Sequence, residues 1–305
     1  SRNSRLVAGA LALLVVGLAG GWTGRGAAPA ELRVHANDNR SPAGRLREDT
    51  LTVRLVVQMA RWRPGANSDS GIVVAAFGEE GKAPAIPGPL LRVPEGTIID
   101  ATVRNGLPDS SITLRGFGSH PGRSEDSVVV RPGESARLRF PAGATGTYLY
   151  SATLGSYDPA KASVERQTTL GAFVVDPKGG SPPDRIFVIN IWGTSVDSLT
   201  YPNALAINGR SWPWTERITA EVGDTLHWRW INASVRNHPM HLHGFYFQME
   251  ARGNGLRDSL YPDGGRPLGV THDVRPFETY ALSWSPDRPG NWLYHCHIGF
   301  HVIAG

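Results

Sequence analysis

Six of the ten histidines fall in two short stretches, His238-Pro-Met-His241-Leu-His243-Gly and His295-Cys296-His297-Ile-Gly-Phe-His301, and the second holds the only cysteine. In an extended strand alternate side chains share a face, so His241 and His243 point one way and His295 and His297 one way, while Cys296 points oppositely. One strand can therefore serve two sites. Imidazole and thiolate together suit copper, and two His with one Cys in a trigonal set make the electron-transfer type of copper site. Cys296 and His301, with His238 from the other stretch, supply that set. The other four, His241, His243, His295 and His297, suit a second cluster of metal ions. Zinc competes for a His-rich cluster, but it gives the His-Cys-His tripeptide no purpose.

The remaining histidines, His35, His120, His227 and His272, read as buried, hydrogen-bonded core residues. Met240 sits between two ligand candidates with its side chain opposed to them. Trp228 and Trp230 alternate with Arg229 as in a half-buried strand, which argues core packing. Gly253-Asn-Gly-Leu-Arg-Asp258 is a turn-rich surface loop expected near the ligand segments. A single cysteine excludes an intrachain disulfide framework and any multi-cysteine zinc or iron–sulfur site.

The elements that must hold these residues are short strands. The 36 Gly and 23 Pro of a 305-residue chain recur without a collagen-like period, and 40% of the residues are hydrophobic, enough for one large core or two ordinary ones. Strands are expected at Leu51–Val57, Thr97–Val103, Ser127–Val130, Ala136–Phe140, Thr147–Tyr150 and Ala172–Val175. A second set is expected at Arg185–Trp192, Arg217–Ala220, Thr225–Ile231, Phe245–Met249, Thr279–Trp284 and Asn291–Cys296. Asp176-Pro-Lys-Gly-Gly-Ser-Pro-Pro-Asp184 separates them, and no segment carries a long helical period. The expectation is an all-β chain of two tandem sandwiches, at 49–178 and 183–305, after a polar linker at 31–48.

The first 30 residues read as an address. A basic start, an apolar run from Leu6 to Trp22 and small residues ending in Ala28-Pro29-Ala30 match a secretory signal cut after Ala30. The run also sits at the lower limit for a membrane anchor. Either reading places the folded part outside the cytoplasm, periplasmic or extracellular. Removing Arg2, Arg5 and Arg25 from the 31 basic residues leaves 28 against 27 acidic ones, so net charge gives no support for nucleic-acid binding.

The two halves are repeats. Arg131-Pro-Gly-Glu134 through Gly155 aligns without a gap to Arg275-Pro-Phe-Glu278 through Gly299. With one inserted residue, Glu95–Phe117 aligns to Val222–Phe245.

On these motifs the chain resembles the multicopper oxidases, the laccase and nitrite-reductase-like cupredoxin superfamily, from about residue 50 to the end. Gly88-Pro-Leu-Leu-Arg-Val-Pro-Glu-Gly96 is similar to the strand before that family's first copper segment. The resemblance implies two cupredoxin-like Greek-key domains and a type 1 copper on His238, Cys296 and His301. It implies a type 2 copper on His241 and a type 3 pair on His243, His295 and His297. It further implies an oxidoreductase in which a small reducing substrate, phenolic or metal-ion, gives electrons to the type 1 copper. They would pass through Cys296 to His295 and His297, the catalytic trio, and on to dioxygen. Two non-catalytic readings stand beside it, a mononuclear electron carrier and a copper-sequestering protein.

The pattern is incomplete. In that family a whole cluster draws as many histidines from the first domain as from the last, yet the alignment puts Thr113 and Arg115 opposite His241 and His243. Ser151 and Thr153 stand opposite His295 and His297, and Ala152 opposite Cys296. Two-domain laccases build the cluster between subunits, so a homo-oligomer is in view, but an identical neighbour brings the same vacated positions. His120 is the one nearby candidate to supply a missing ligand. The axial group over the type 1 copper falls past Gly305, and the natural sequence is expected to continue.

Overall fold

Short apolar stretches punctuated by Gly and Pro fold, among the described residues, into four sheets. The computed structural model describes residues 31–66, 69–157, 168–193 and 204–304. The signal or anchor segment lies outside them, and no helix among the described residues is long and apolar enough to cross a membrane.

The first sandwich faces a seven-stranded sheet, built around Thr50–Trp62, Ile98–Asn105 and Ser135–Pro141, against a five-stranded one. The latter runs Gly88–Pro94, Leu170–Asp176, Gly146–Leu154, Ile112–Arg115, Val128–Val130. Inward-pointing Leu51, Val53, Leu55, Phe77, Leu91, Ile99, Val103, Tyr148 and Phe173 fill the space between them. The second sandwich repeats the plan. A seven-stranded sheet around Asp184–Trp192, Leu226–Asn232 and Thr279–Trp284 faces a three-stranded one, Thr271–Val274, His238–Leu242, Tyr294–Cys296. In each half a parallel pair, Thr50–Trp62 with Ile98–Asn105 and Asp184–Trp192 with Leu226–Asn232, is followed by an antiparallel partner. The repeat read in the sequence is a repeat of topology.

The sandwiches are joined by a dry seam. Leu170–Val175 is buried at every position, a continuous apolar run rather than an alternating one, because both its faces are covered. One face feeds the first core. On the other, Leu90, Leu170, Ala172 and Val174 pack on Ile186, Val188 and Ile231. Ions lock the edge of this seam: Arg92 binds Asp176 at 2.7 Å and Asp184 at 2.6 Å, and Arg229 binds Asp184 at 2.6 Å.

Three expectations are corrected. Residues 31–48 are tied in rather than a free linker: His35–Ala36 and Arg45–Arg47 add to the first sheet. Asn39 there donates to Asn208 of the second sandwich at 3.1 Å, so polar composition hid specific side-chain bonds. Arg217–Ala220 is exposed and forms no strand. Of Asn291–Cys296 only Tyr294–Cys296 is strand, and the chain then turns into a helix, Gly299–Ala304, for which the sequence carried no period.

Candidate metal centre

The ligand stretches meet as neighbouring antiparallel strands, with Met240 opposite Cys296, His241 opposite His295 and Leu242 opposite Tyr294. Alternation then sorts the side chains. Met240, Leu242, Tyr294 and Cys296 face the second core, while His241, His243, His295 and His297 project from the other face. His301 arrives from the short helix, whose first turn is closed by its N–H donating to the Ile298 carbonyl at 2.9 Å.

His238, Cys296 and His301 come together. Their donor atoms lie within 4.8 Å of one another, and Cys296 Sγ is 3.3 Å from His301 Nδ1. The two rings are 4.9 Å apart at 30°, and His238 and His301 are 2% and 4% exposed. Ser234 fixes the tautomer of His238: its hydroxyl donates to Asn232 Oδ1 at 2.7 Å, so it accepts from His238 Nε2–H at 3.0 Å. That leaves the Nδ1 lone pair for a metal, with the outer N–H anchored as metal-bound imidazoles require. Burial first, then the charges of His301 and Arg236, lowers the His238 pKa to about 3; burial and Arg236 lower that of His301 to about 4. Both rings are neutral at ordinary pH. Burial also raises the Cys296 thiol, so a metal must displace its proton. His301 Nε2 is buried with no partner among the described residues, a cost that fits a ring placed for its other nitrogen. Two neutral nitrogens and one sulfur, closely set and dry, fit copper.

The four outward imidazoles form an open patch. His243 Nε2 is 2.9 Å from His295 Nε2, and the rings of His241 lie 4.8 Å from His243 and 4.9 Å from His297. His241 Nδ1 meets Thr271 Oγ1 at 2.8 Å, and His295 Nδ1 meets its neighbour's carbonyl, that of Cys296, at 2.8 Å. Burial and the three neighbouring rings lower the His241 pKa. Among the described residues, however, only the His238, Cys296 and His301 set closes to mutual ligand distance.

The corresponding face of the first sandwich holds no imidazole. Ser151 pairs with Arg115 and Thr153 with Thr113, with Arg115 Nη1 donating to Thr153 Oγ1 at 3.4 Å. Ala152 pairs with Leu114, whereas Cys296, its sequence counterpart, pairs with Met240. The two ladders are out of step by one pleat, and the residue in the place of His241 is Arg115 rather than Thr113.

His120 does not approach the patch. It stacks on Tyr148 at 4.0 Å and 7°, with Nδ1 3.4 Å from the Leu256 carbonyl and Nε2 buried without a partner among the described residues. His227 pairs with Glu250 at 3.3 Å and His272 with Glu278 at 2.7 Å, hydrogen-bonded as expected but half-buried rather than in the core, and His35 is exposed. The Gly253–Asp258 loop docks on the first sandwich: Gly255 accepts from Leu149 N–H, and Asp258 from Thr147 N–H at 2.8 Å. Ser234 and Asn232, which set His238, escaped sequence reading because a Ser four residues before a ligand carries no distinctive signal.

A two-sandwich, all-β protein with a buried His₂Cys metal set is a cupredoxin-type copper protein. Residues 182–305 match the family model of multicopper oxidases, a family whose metal is copper. It is 26% identical over 267 residues to a "Probable nitrite reductase-hydroxylamine oxidoreductase fusion protein" of Kuenenia stuttgartiensis, covering 77% of this chain and 28% of that one. It is 32% identical over 102 residues to human ceruloplasmin, 33% of this chain and 8% of that one. The chain thus spans under a third of the length of these curated relatives. The crystal structure of a blue copper oxidase from Nitrosomonas europaea shares the fold, with a TM-score of 0.64 at 23% identity over 83% of this chain and 81% of that one.

Proposed function

We propose that the chain is an exported copper-dependent oxidoreductase that takes electrons from a small reductant, phenolic or metal-ion, with dioxygen as the acceptor. The convergence of His238, Cys296 and His301 carries the reading. Copper bound there supplies one-electron redox chemistry. The chain's own part is to hold a dry, neutral donor set and to keep the anchored His238 ring in place through Ser234. Cys296 joins that set by covalent bonds alone to His295 and His297 on the opposite face, the shortest connection between the two groups. Export is supported by the basic, apolar and small-residue order of the first 30 residues.

A second reading, a mononuclear electron carrier, is favoured by the imidazole-free face of the first sandwich and by the open geometry of the His patch. Copper loading followed by metal analysis, visible and electron-spin-resonance spectra and oxygen uptake decides between them. Several coppers per chain, an intense thiolate band and oxygen consumption support the oxidase. One copper with the band and no oxygen uptake supports the carrier. Tight copper without the band after oxidation refutes both and leaves sequestration.

A further inference from the structure

Four arginines far apart in the chain meet around one open cavity of about 250 Å³: Arg33 from the leading segment, Arg61 and Arg63 from the first sandwich and Arg210 from the second. Like charges repel, so a fold that gathers four guanidinium groups builds a local field that attracts anions. The backbone holds them there. Arg61 N–H donates to the Leu32 carbonyl at 2.8 Å and Val34 N–H to the Arg61 carbonyl at 2.9 Å, which fixes Arg33 beside Arg61. Gly209 closes the wall at a φ of 79°, where a Cβ would collide with the Ile86 carbonyl, and its own carbonyl accepts from Trp62 Nε1–H at 2.9 Å.

The four differ in what their donors already hold. Arg61 is fully engaged: Nε and Nη2 donate to Glu31 at 2.7 Å and 2.6 Å, and Nη1 to the Ser70 carbonyl at 3.0 Å. Arg210 Nη1 donates to the carbonyls of Arg63 at 3.3 Å and Gly65 at 3.2 Å, so it positions the turn that carries Arg63. Arg33 and Arg63 pair with no carboxylate among the described residues. They do feel Glu31, whose carboxyl is held below its usual range chiefly by its bond to Arg61, then by the charges of Arg61, Arg63 and Arg33.

We propose that Arg33 and Arg63 grip the phosphate of a small phosphate monoester, with Arg61 and Arg210 as the walls that position them. A monoester is close to dianionic at neutral pH, and the planar fork of a guanidinium matches its oxygens. The cavity is several times the ~30 Å³ share of one water, which leaves room for an organic group against Val34, Ala36 and Trp62. None of the metal-centre histidines lines it, so the proposal stands apart from the oxidoreductase reading.

Calorimetric titration of the full chain with phenyl phosphate at low ionic strength tests it. One site per chain is expected, about tenfold weaker in Arg33→Gln and in Arg63→Gln. Arg54→Gln, at a surface pair with Glu80, should bind as the wild type does. Glu31→Gln should bind more tightly, because the competing carboxylate is gone and the Arg61 fork is released. No binding at millimolar concentration, equal weakening in Arg54→Gln, or equal affinity for the singly charged phenyl sulfate overturns the proposal. Binding confined to phosphatidic acid vesicles, and absent from phosphatidylcholine vesicles, overturns the soluble ligand in favour of a lipid headgroup. Arg33 is exposed, so Arg33→Gln keeps the fold, and its ligand-free unfolding midpoint should equal that of the wild type.

Discussion

Replacing His120 by Phe should remove a defined part of the protein's sensitivity to acid. The ring is 4% exposed, stacked on Tyr148 and edge-on to Phe173 at 4.9 Å, and burial lowers its pKa to about 4 from 6.5. The unfolded chain takes up this proton as pH falls through 6.5, and the folded chain does not until about 4. The unfolded state binds more protons across that window, so stability is full above it and falls with pH inside it. At about 1.4 kcal/mol per pH unit, the loss from this ring is ~2 kcal/mol by about pH 5. Phe keeps an aromatic ring for the stack but cannot titrate, and its different size shifts stability equally at both pH values. Urea unfolding of metal-free wild type and His120→Phe at pH 7 and pH 5 isolates the effect, because His238 and His301 titrate alike in both. The wild type should lose about 2 kcal/mol more than the variant between the two pH values. Equal losses would refute the buried-imidazole argument. The variant should also keep its full copper content, since His120 lies away from the ligand patch.

Cys296→Ser should abolish the visible thiolate band and remove one copper per chain while leaving the unfolding midpoint of the metal-free protein nearly unchanged. His243→Ala with His297→Ala should do the reverse, keeping the band and losing any copper beyond the first, as metal analysis and spectra would show. Arg92→Ala strips the seam of the cation shared by Asp176 and Asp184, whose side chains are 17% and 3% exposed. Arg229 still holds Asp184, so a loss of about 3 kcal/mol in urea unfolding is expected, at the low end for a broken buried pair. Arg92→Lys should not restore it, because one ammonium cannot grip both carboxylates in the way a planar guanidinium does.

What the sequence revealed depended on whether the signal was local. The alternation of His295, Cys296 and His297 predicts opposite faces from strand period alone, and that is how the strand presents them. The core role of Trp228 and Trp230 follows from the same period. His301 illustrates the limit: it reaches Cys296 through a helix of six residues, too short to leave a period. Ser234 and Asn232 act through a turn, where only coordinates show that the hydroxyl meets the His238 ring. The Gly253–Asp258 loop is expected near the ligand segments, yet it bonds to the first sandwich, because a turn-rich composition does not say which surface a loop meets. The tandem alignment found the repeat but not the one-pleat slip between ladders, since identities mark residues and not their hydrogen-bonded partners.

Arg115 stands on the vacated face in either register, opposite His243 in the alignment and beside Ser151 in the ladder. A Thr there would merely withhold a ligand; a guanidinium is a cation and offers no lone pair. If a second copy turned this face onto the His patch, as the resemblance to two-domain laccases suggests for a shared cluster, its guanidinium would meet the metal ions. At ~5 Å and an effective dielectric constant near 20, the repulsion is about 3 kcal/mol per unit of metal charge. Copper should therefore oppose that head-to-tail assembly rather than drive it. Sedimentation velocity before and after loading should show no growth in size, and Arg115→Ala should relax the opposition. Copper-driven assembly of the wild type through the His patch, lost in His243→Ala, would show that the guanidinium swings clear and that the vacated face is an interface after all.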